Sequence, residues 1–215
     1  MLENIINVIE SYYPKTFLIS KSNKNELTIT LDKKYLLEFC VFLKENDKLK
    51  FNQLVDLCGV DYLYYKKSAW ITDKATSEGF SRAHNVILSN NDYIEKRFVV
   101  VYHLLSYEFN HRLRLKVWVN INDLIVPSVS LIWSTANWHE REAFDLFGIK
   151  FEGHPNLERI LTDYGFEDYP LRKDFPVTGK NEVRYDPSQG KIVYEPTSVD
   201  IINTPKVIRN DFRYK

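Results

Sequence analysis

The chain has 215 residues, 44% hydrophobic and 27% charged, with 29 basic side chains against 29 acidic ones. That length suffices for one domain with a sizeable core plus an appended arm, and a formal net charge of zero gives no general pull towards nucleic acid or an anionic membrane. The longest apolar run, FVVVYHLL at 98–105, is far short of the roughly 20 residues that span a bilayer.

LENIINVIESYY places Leu2, Ile5, Ile6 and Ile9 on one helical face, and Pro14 ends that helix. Its early acids and lack of a basic n-region match neither a secretory signal nor a transit peptide, so the chain is expected to act where it is made and to meet a membrane only through a partner. TFLISKS and ELTITL read as two strands joined by the polar SNKN turn. DKKYLLEFCVFLKEN follows as an amphipathic helix with Asp32 as its N-cap.

FNQLVDLCGVDYLYY predicts a further strand, and a polar stretch, TDKATSEGFSRAHNVILSNND, separates it from the strand KRFVVVYHLLSY. In the next strand, HRLRLKVWVN, Leu113, Leu115, Val117 and Val119 face one way and Arg112, Arg114, Lys116 and Trp118 the other. The basic stripe is read as a solvated face, or one that meets an acidic partner. No array of stacking aromatics accompanies it, so a nucleic-acid surface is not expected. Cys40 and Cys58 sit among apolar neighbours and fit no C-x-x-C pattern; both are expected to be buried free thiols, and two thiolates alone cannot hold an iron–sulfur cluster. The order α-β-β-α-β-β-β predicts an α+β fold. A ferredoxin-like domain over residues 1–126 would have an antiparallel or mixed sheet with helices on one face.

Residues 127–150 hold a charged segment, NWHEREAFDLFGI at 137–149. Asn137 with Glu140 has the capping-box spacing and Gly148 stands where a left-handed C-cap belongs, which predicts a helix from about Trp138 to Phe147. Trp138, Glu142 and Asp145 share one face, with Ala143, Phe144 and Phe147 on the apolar side. Arg141 and Asp145 are spaced for an i,i+4 pair. Buried, these charges need partners, and His154, Arg159, Arg172 and Lys173 follow closely. A small metal-dependent hydrolase built on His139, Glu142 and Asp145 is the alternative chemistry. It is weakened by the absence of a second histidine four residues on, where Ala143 stands.

Six of the eight prolines and five of the seven glycines lie at or after Gly148, and no sustained period is evident beyond it. Tyr, Phe, Val and Ile nevertheless continue along residues 151–215, as a solvating tail would not allow. An extended Pro/Gly-rich arm that lays these side chains on a partner's surface is expected.

Residues 137–176 resemble the signature region of the 30 kDa (C-type) subunit family of proton-pumping NADH:quinone oxidoreductase, respiratory complex I. The resemblance is carried by Glu140-Arg141-Glu142, Asp145, Gly148, His154-Pro155, Arg159-Ile160-Leu161, Thr162-Asp163-Tyr164-Gly165 and Pro170-Leu171-Arg172-Lys173-Asp174-Phe175-Pro176. LVDLCGVDY (54–62) and GFSRAHN (79–85) are family-like too, and the sequence departs from the family pattern at Glu158, a usually basic position.

The resemblance implies a core, non-catalytic subunit of the peripheral arm, in the quinone-reducing module. Its C-terminal segment would extend over the D-type (49 kDa-type) subunit, which forms much of the quinone pocket, beside the neighbouring Fe-S subunits. This chain would bind no cofactor itself, with FMN, the Fe-S clusters and quinone held in other subunits. It further implies a peripheral position on the cytoplasmic side of a bacterial inner membrane, or on the matrix side of a mitochondrial one if organelle-encoded. A related membrane-bound hydrogenase or plastid-type dehydrogenase would use a cousin of the same subunit. Glu140, Arg141, Glu142, Asp145, His154, Arg159, Asp163, Arg172, Lys173 and Asp174 are then the assembly signature, positioning the chain and doing no chemistry.

Overall fold

The structure, a computed structural model, describes residues 2–14, 17–21, 26–63, 75–76, 79–80, 97–176 and 178–197. The elements run α1 (Leu2–Tyr12), β1 (Leu18–Lys21), β2 (Leu27–Leu31), α2 (Leu36–Glu45), β3 (Gln53–Asp61), β4 (Ala75–Thr76), β5 (Gly79–Phe80), β6 (Phe98–Ser106), β7 (His111–Val119), β8 (Ile125–Pro127), α3 (Ala136–Phe147), β9 (Lys150–Glu152), β10 (Asn181–Asp186) and β11 (Lys191–Pro196). They fall into two compact units, residues 1–62 with 92–172, and residues 63–91 with 173–215.

The first unit is organised by alternation. Leu113, Leu115, Val117 and Val119 of β7 are all buried, as their period of two predicts. They pair antiparallel with Leu104, Tyr102, Val100 and Phe98 of β6, so one sheet face is continuously apolar. The sheet order is β1-β2-β7-β6-β3. β2 joins β7 in parallel while the other neighbours are antiparallel, which makes the sheet mixed. Ile5 and Ile9 of α1, and Leu36, Phe39, Cys40 and Leu43 of α2, enter the same apolar cluster as that face. Each large side chain buried in it contributes on the order of 1.5–3 kcal/mol. Asp32 does cap, though it accepts from Lys34 N–H at the start of a single 3-10 turn that leads into α2.

β8 and β9 are parallel, with Val126 opposite Phe151, and parallel neighbours need a crossover. α3 is that crossover. Its apolar residues Ala136, Ala143 and Phe147 join the main core. Phe147 comes so close to β3 that a Cβ on Gly59 would stand 2.6 Å from its ring. Glycine is needed at position 59 for this approach of helix to strand, and nothing in the surrounding sequence announces it.

In the second unit β10 and β11 form an antiparallel hairpin, in a region where the sequence shows no sustained strand period. Its registers Val183↔Tyr194 and Tyr185↔Ile192 set four apolar side chains on one face, all of them exposed. Arg184 and Glu195 form a two-point ion pair at 3.0 and 2.6 Å on the other. The first unit continues past residue 150 to Arg172, so the beginning of the Pro/Gly-rich region belongs with the sheet domain. The SNKN turn, most of the polar stretch 72–92 including SRAHN (81–85), and the last 18 residues lie outside the described residues.

Cys40 is buried, but Cys58, expected to be so, is only half-buried. It sits opposite Val101, on the sheet face opposite the one that α1 and α2 cover, near enough to Asp56 and Glu142 for their charges to raise its pKa after burial has done so.

Gly59→Ala should destabilise the chain by about 1–3 kcal/mol through overpacking against Phe147. Denaturant unfolding checks this, with Gly165→Ala as the control, because nothing lies within 4 Å of a Cβ there.

Candidate functional site

α3 is buried on two opposite sides, which a simple amphipathic reading does not anticipate. Helix residues 136, 140, 143 and 147 face the core, and Asp145 projects from nearly the opposite side, yet both Glu140 and Asp145 are fully buried. The segment that follows β9 turns back over the helix and covers Asp145.

Asp145 is where that segment is fastened. Its Oδ2 accepts the backbone N–H groups of Ile160, Leu161 and Thr162 at 3.0, 2.7 and 3.0 Å. Its Oδ1 accepts Arg159 Nη1 at 2.9 Å and the Thr162 hydroxyl. Burial alone would push this carboxyl's pKa up. The Thr162 hydroxyl and then the Thr162, Leu161 and Ile160 N–H groups outweigh it, and hold the pKa well below 3.8. Arg159 Nη1 also reaches the Asp168 carbonyl at 3.0 Å, and its guanidinium lies 5.1 Å over the Tyr169 ring.

Arg172 closes the wrap. Its Nε donates to the Phe147 carbonyl at 2.7 Å, a helix-terminal acceptor, and its guanidinium stacks 4.3 Å over Tyr169 and 5.2 Å over Phe98. Gly148 is left-handed at φ 76°, as its C-cap role predicts, and a Cβ there would lie 2.6 Å from Arg172 Nη2. Both backbone and space demand glycine at this point.

The expected capping box is absent. The helix starts at Ala136 with Thr135 as its uncapped N-cap, so Asn137 lies inside it. Glu140 instead reaches back to a preceding loop, accepting Ser128 Oγ at 2.6 Å and Val129 N–H at 2.7 Å. The Arg141–Asp145 pair is not formed either. Arg141 lies over Trp138 at 5.2 Å and donates to the carbonyls of Glu158 and Arg159 at 3.1 and 3.5 Å. Glu158 enters this bond through its backbone carbonyl, so the identity of its side chain does not affect it.

His154 is the fourth tie, its Nε2 3.1 Å from the Asn137 carbonyl. Glu142 and Asp163 are exposed, and Lys173 and Asp174 belong to the second unit. Ser128, Thr162 and Tyr169 are not legible in the sequence as part of this arrangement; a hydroxyl or ring that completes another residue's shell carries no spacing signal of its own.

His139, Glu142 and Asp145 are not brought together. His139 Nδ1 lies 3.6 Å from Asp56 Oδ1, and Asp145 is saturated by the wrap, so the hydrolase alternative has no geometric support. Among the described residues, no cluster of three His, Cys, Asp or Glu side chains could hold a metal. What the arrangement can do is mechanical: it locks residues 153–172 to α3. Trp138, Leu161 and Tyr164 remain exposed along the lock, Tyr164 completely.

A model of the family described as respiratory-chain NADH dehydrogenase, 30 kDa subunit, matches residues 29–181. The C subunit of NADH-quinone oxidoreductase from Coxiella burnetii is 46% identical over 216 residues, covering 99% of this chain and 95% of the relative. Its counterpart in Legionella pneumophila (strain Corby) is 51% identical over 191 residues, covering 88% and 84%. A solved trypsin-resistant fragment of Nqo5 superposes with a TM-score of 0.53 at 30% identity, covering 71% of this chain and 98% of the fragment. A chain of an archaeal membrane-bound sulfane sulfur reductase shares the fold, with a TM-score of 0.58 at 22% identity over 80% of this chain and 84% of that one.

Asp145→Asn leaves the Arg159 cation without its anion and should cost about 3 kcal/mol. A carboxyl held below its ordinary 3.8 contributes stability that is complete above that pH and is lost as pH falls below it. Unfolding measured between about pH 2 and pH 5 should therefore show a shallower acid loss in Asp145→Asn than in the parent chain.

Proposed function

The chain belongs to the respiratory-chain NADH dehydrogenase 30 kDa subunit family, and on that premise we propose that it is a non-catalytic core subunit of the peripheral arm of a proton-translocating NADH:quinone oxidoreductase. In this reading its work is to hold the D-type subunit of the quinone site, with the neighbouring Fe-S subunits, in the geometry that electron transfer requires. The complex passes electrons from NADH through FMN and Fe-S clusters to a quinone, with those groups resident in other subunits. The chain lies peripherally on the cytoplasmic side of a bacterial inner membrane.

The observation that carries this reading is the saturation of Asp145 and of the arginines that fasten the returning segment to the charged helix. Asp145, Arg141, Arg159 and Arg172 all hold the chain's own backbone or rings. A catalytic acid, base or metal ligand must keep a valence free for substrate, and Asp145 keeps none. Exposed apolar groups beside the lock, and a hairpin with Val183, Tyr185, Ile192 and Tyr194 in water, supply surface for protein neighbours. An isolated two-stranded hairpin is marginal in water, and a partner surface under its apolar face would complete it. No described helix is long and apolar enough to cross a membrane. Relatives at 46–51% identity, named as C subunits of NADH-quinone oxidoreductase, favour this complex over a hydrogenase-type cousin.

Affinity purification of the tagged chain from native membranes in mild detergent, with mass analysis and a quinone-reductase assay, tests the reading. The D-type subunit and activity should be recovered together; a lone soluble protein would sink it. Arg141→Ala removes the bonds to the Glu158 and Arg159 carbonyls and should lower the amount of intact complex several-fold, with turnover per complex unchanged. A full-yield complex without turnover would place chemistry on this helix instead. Tyr185→Ser with Tyr194→Ser should likewise reduce co-purified partner, measured by quantitative mass analysis, without altering the folded chain's thermal midpoint.

A further inference from the structure

Glu140 is fully buried and faces the core side of α3. Among the described residues no Lys or Arg pairs with it. Its hydrogen bonds come from Ser128 Oγ and Val129 N–H. The titratable groups facing it are His154 from the turn after β9, Cys40 from α2 and Tyr102 from β6. The thiol and the phenol are both pushed up, by burial first, and so stay uncharged. Tyr102 Oη is buried, with no hydrogen-bond partner among the described residues.

His154 Nε2 stands 3.9 Å from Glu140 Oε2, with the two side chains 1% and 0% exposed. Its Nδ1 accepts Asn156 N–H at 3.1 Å, which puts the ring proton on Nε2, directed at the Asn137 carbonyl. Burial pushes the Glu140 carboxyl up to about 7, against the opposite pull of Ser128 and Val129.

We propose that Glu140, beside His154, is a proton-operated latch that closes both the 128–130 loop and the 154–156 turn onto α3. With its proton, Glu140 is a neutral group that keeps its contacts with Ser128 and Val129. Without it, α3 carries a buried anion whose nearest basic group among the described residues, His154, is committed to Asn137 and Asn156. An unpaired buried charge is strongly unfavourable. Opening the loop or the turn admits water to it, and α3 loses one of the contacts that align it with the wrap. No bond is made or broken beyond the transfer of that proton to solvent.

The sign follows from linkage. A carboxyl raised in the closed form binds its proton more tightly there than in the open form. The closed form therefore has its full advantage below 4.5, the ordinary value, and loses it progressively as pH rises towards about 7.

The test is hydrogen exchange of peptides covering residues 128–140 and 151–160 in the assembled complex. It is measured from about pH 5 to pH 8 and corrected for intrinsic exchange. The opening equilibrium should rise by up to about tenfold per pH unit and level off above neutrality. Glu140→Gln keeps the shape and a carbonyl for Val129 N–H, and should flatten the profile. An unchanged profile in Glu140→Gln, or a flat one in the parent complex, would overturn the latch. Should Glu140→Gln fail to assemble, Ser128→Ala decides. Removing that donor to the carboxylate should move the midpoint to higher pH, and an unmoved midpoint would count against the proposal.

Discussion

A single carboxylate inside the fold does what a longer stretch of hydrophobic chain would otherwise have to do. Asp145 takes the N–H groups of three successive residues, 160–162, on one oxygen and the Arg159 guanidinium on the other. Three N–H groups converging on one acceptor fix the local path of the backbone. That path sends residues 163–172 back to the end of α3, where Arg172 meets the Phe147 carbonyl and Leu171 N–H bonds the Leu146 carbonyl at 3.2 Å. Removing the anion would free a cation and three donors at once, and the wrap has few buried apolar residues with which to compensate.

The same logic explains why the two glycines flanking this element are where they are. Gly59 lets Phe147 sit against β3, and Gly148 lets the chain leave the helix left-handed beneath Arg172 and Tyr169. Helix, strand and wrap are therefore set at distances that no β-carbon permits. The exposed ion pairs elsewhere, such as Lys50–Glu108 at 2.7 Å and Arg114–Glu26 at 3.1 Å, are screened by solvent and add little. Charge stabilises this chain where it is buried and paired, and there it holds position.

Much of the sheet domain was legible because periodicity reports directly on burial. The alternation of Leu113, Leu115, Val117 and Val119 and the helical spacing of Ile5 and Ile9 each identify one apolar face, and both faces meet in the core. Gly148 was legible for a similar reason, since a helix end needs a left-handed residue. The partners of the charges were not. Asp145 chooses Arg159, fourteen residues away, over Arg141 one turn back, and spacing along a helix cannot reveal a competitor supplied by a returning segment. Glu140 had the capping spacing from Asn137 but bonds a loop before the helix, a tertiary override of a local motif. The parallel β2–β7 contact and the five-strand order also exceed what element order implies, because strand adjacency is decided by packing. The hairpin over residues 181–196 did leave a trace. Val183 and Tyr185 alternate with charges, and so does Tyr194 with Glu195, around the turn residues Pro187, Ser188 and Gly190. So brief an alternation amid prolines was too short to separate from an irregular arm.

The charged helix either positions or reacts, and two of its side chains decide which. Among the titratable side chains of α3, His139 and Glu142 are the two that no hydrogen bond holds, so acid–base or metal chemistry on this helix would need them. The decisive measurement is NADH:quinone turnover per assembled complex for a His139→Ala, Glu142→Gln chain, with complex quantified independently. A purely positional helix requires turnover equal to that of the parent complex. Loss of turnover in a complex assembled at full yield would contradict it.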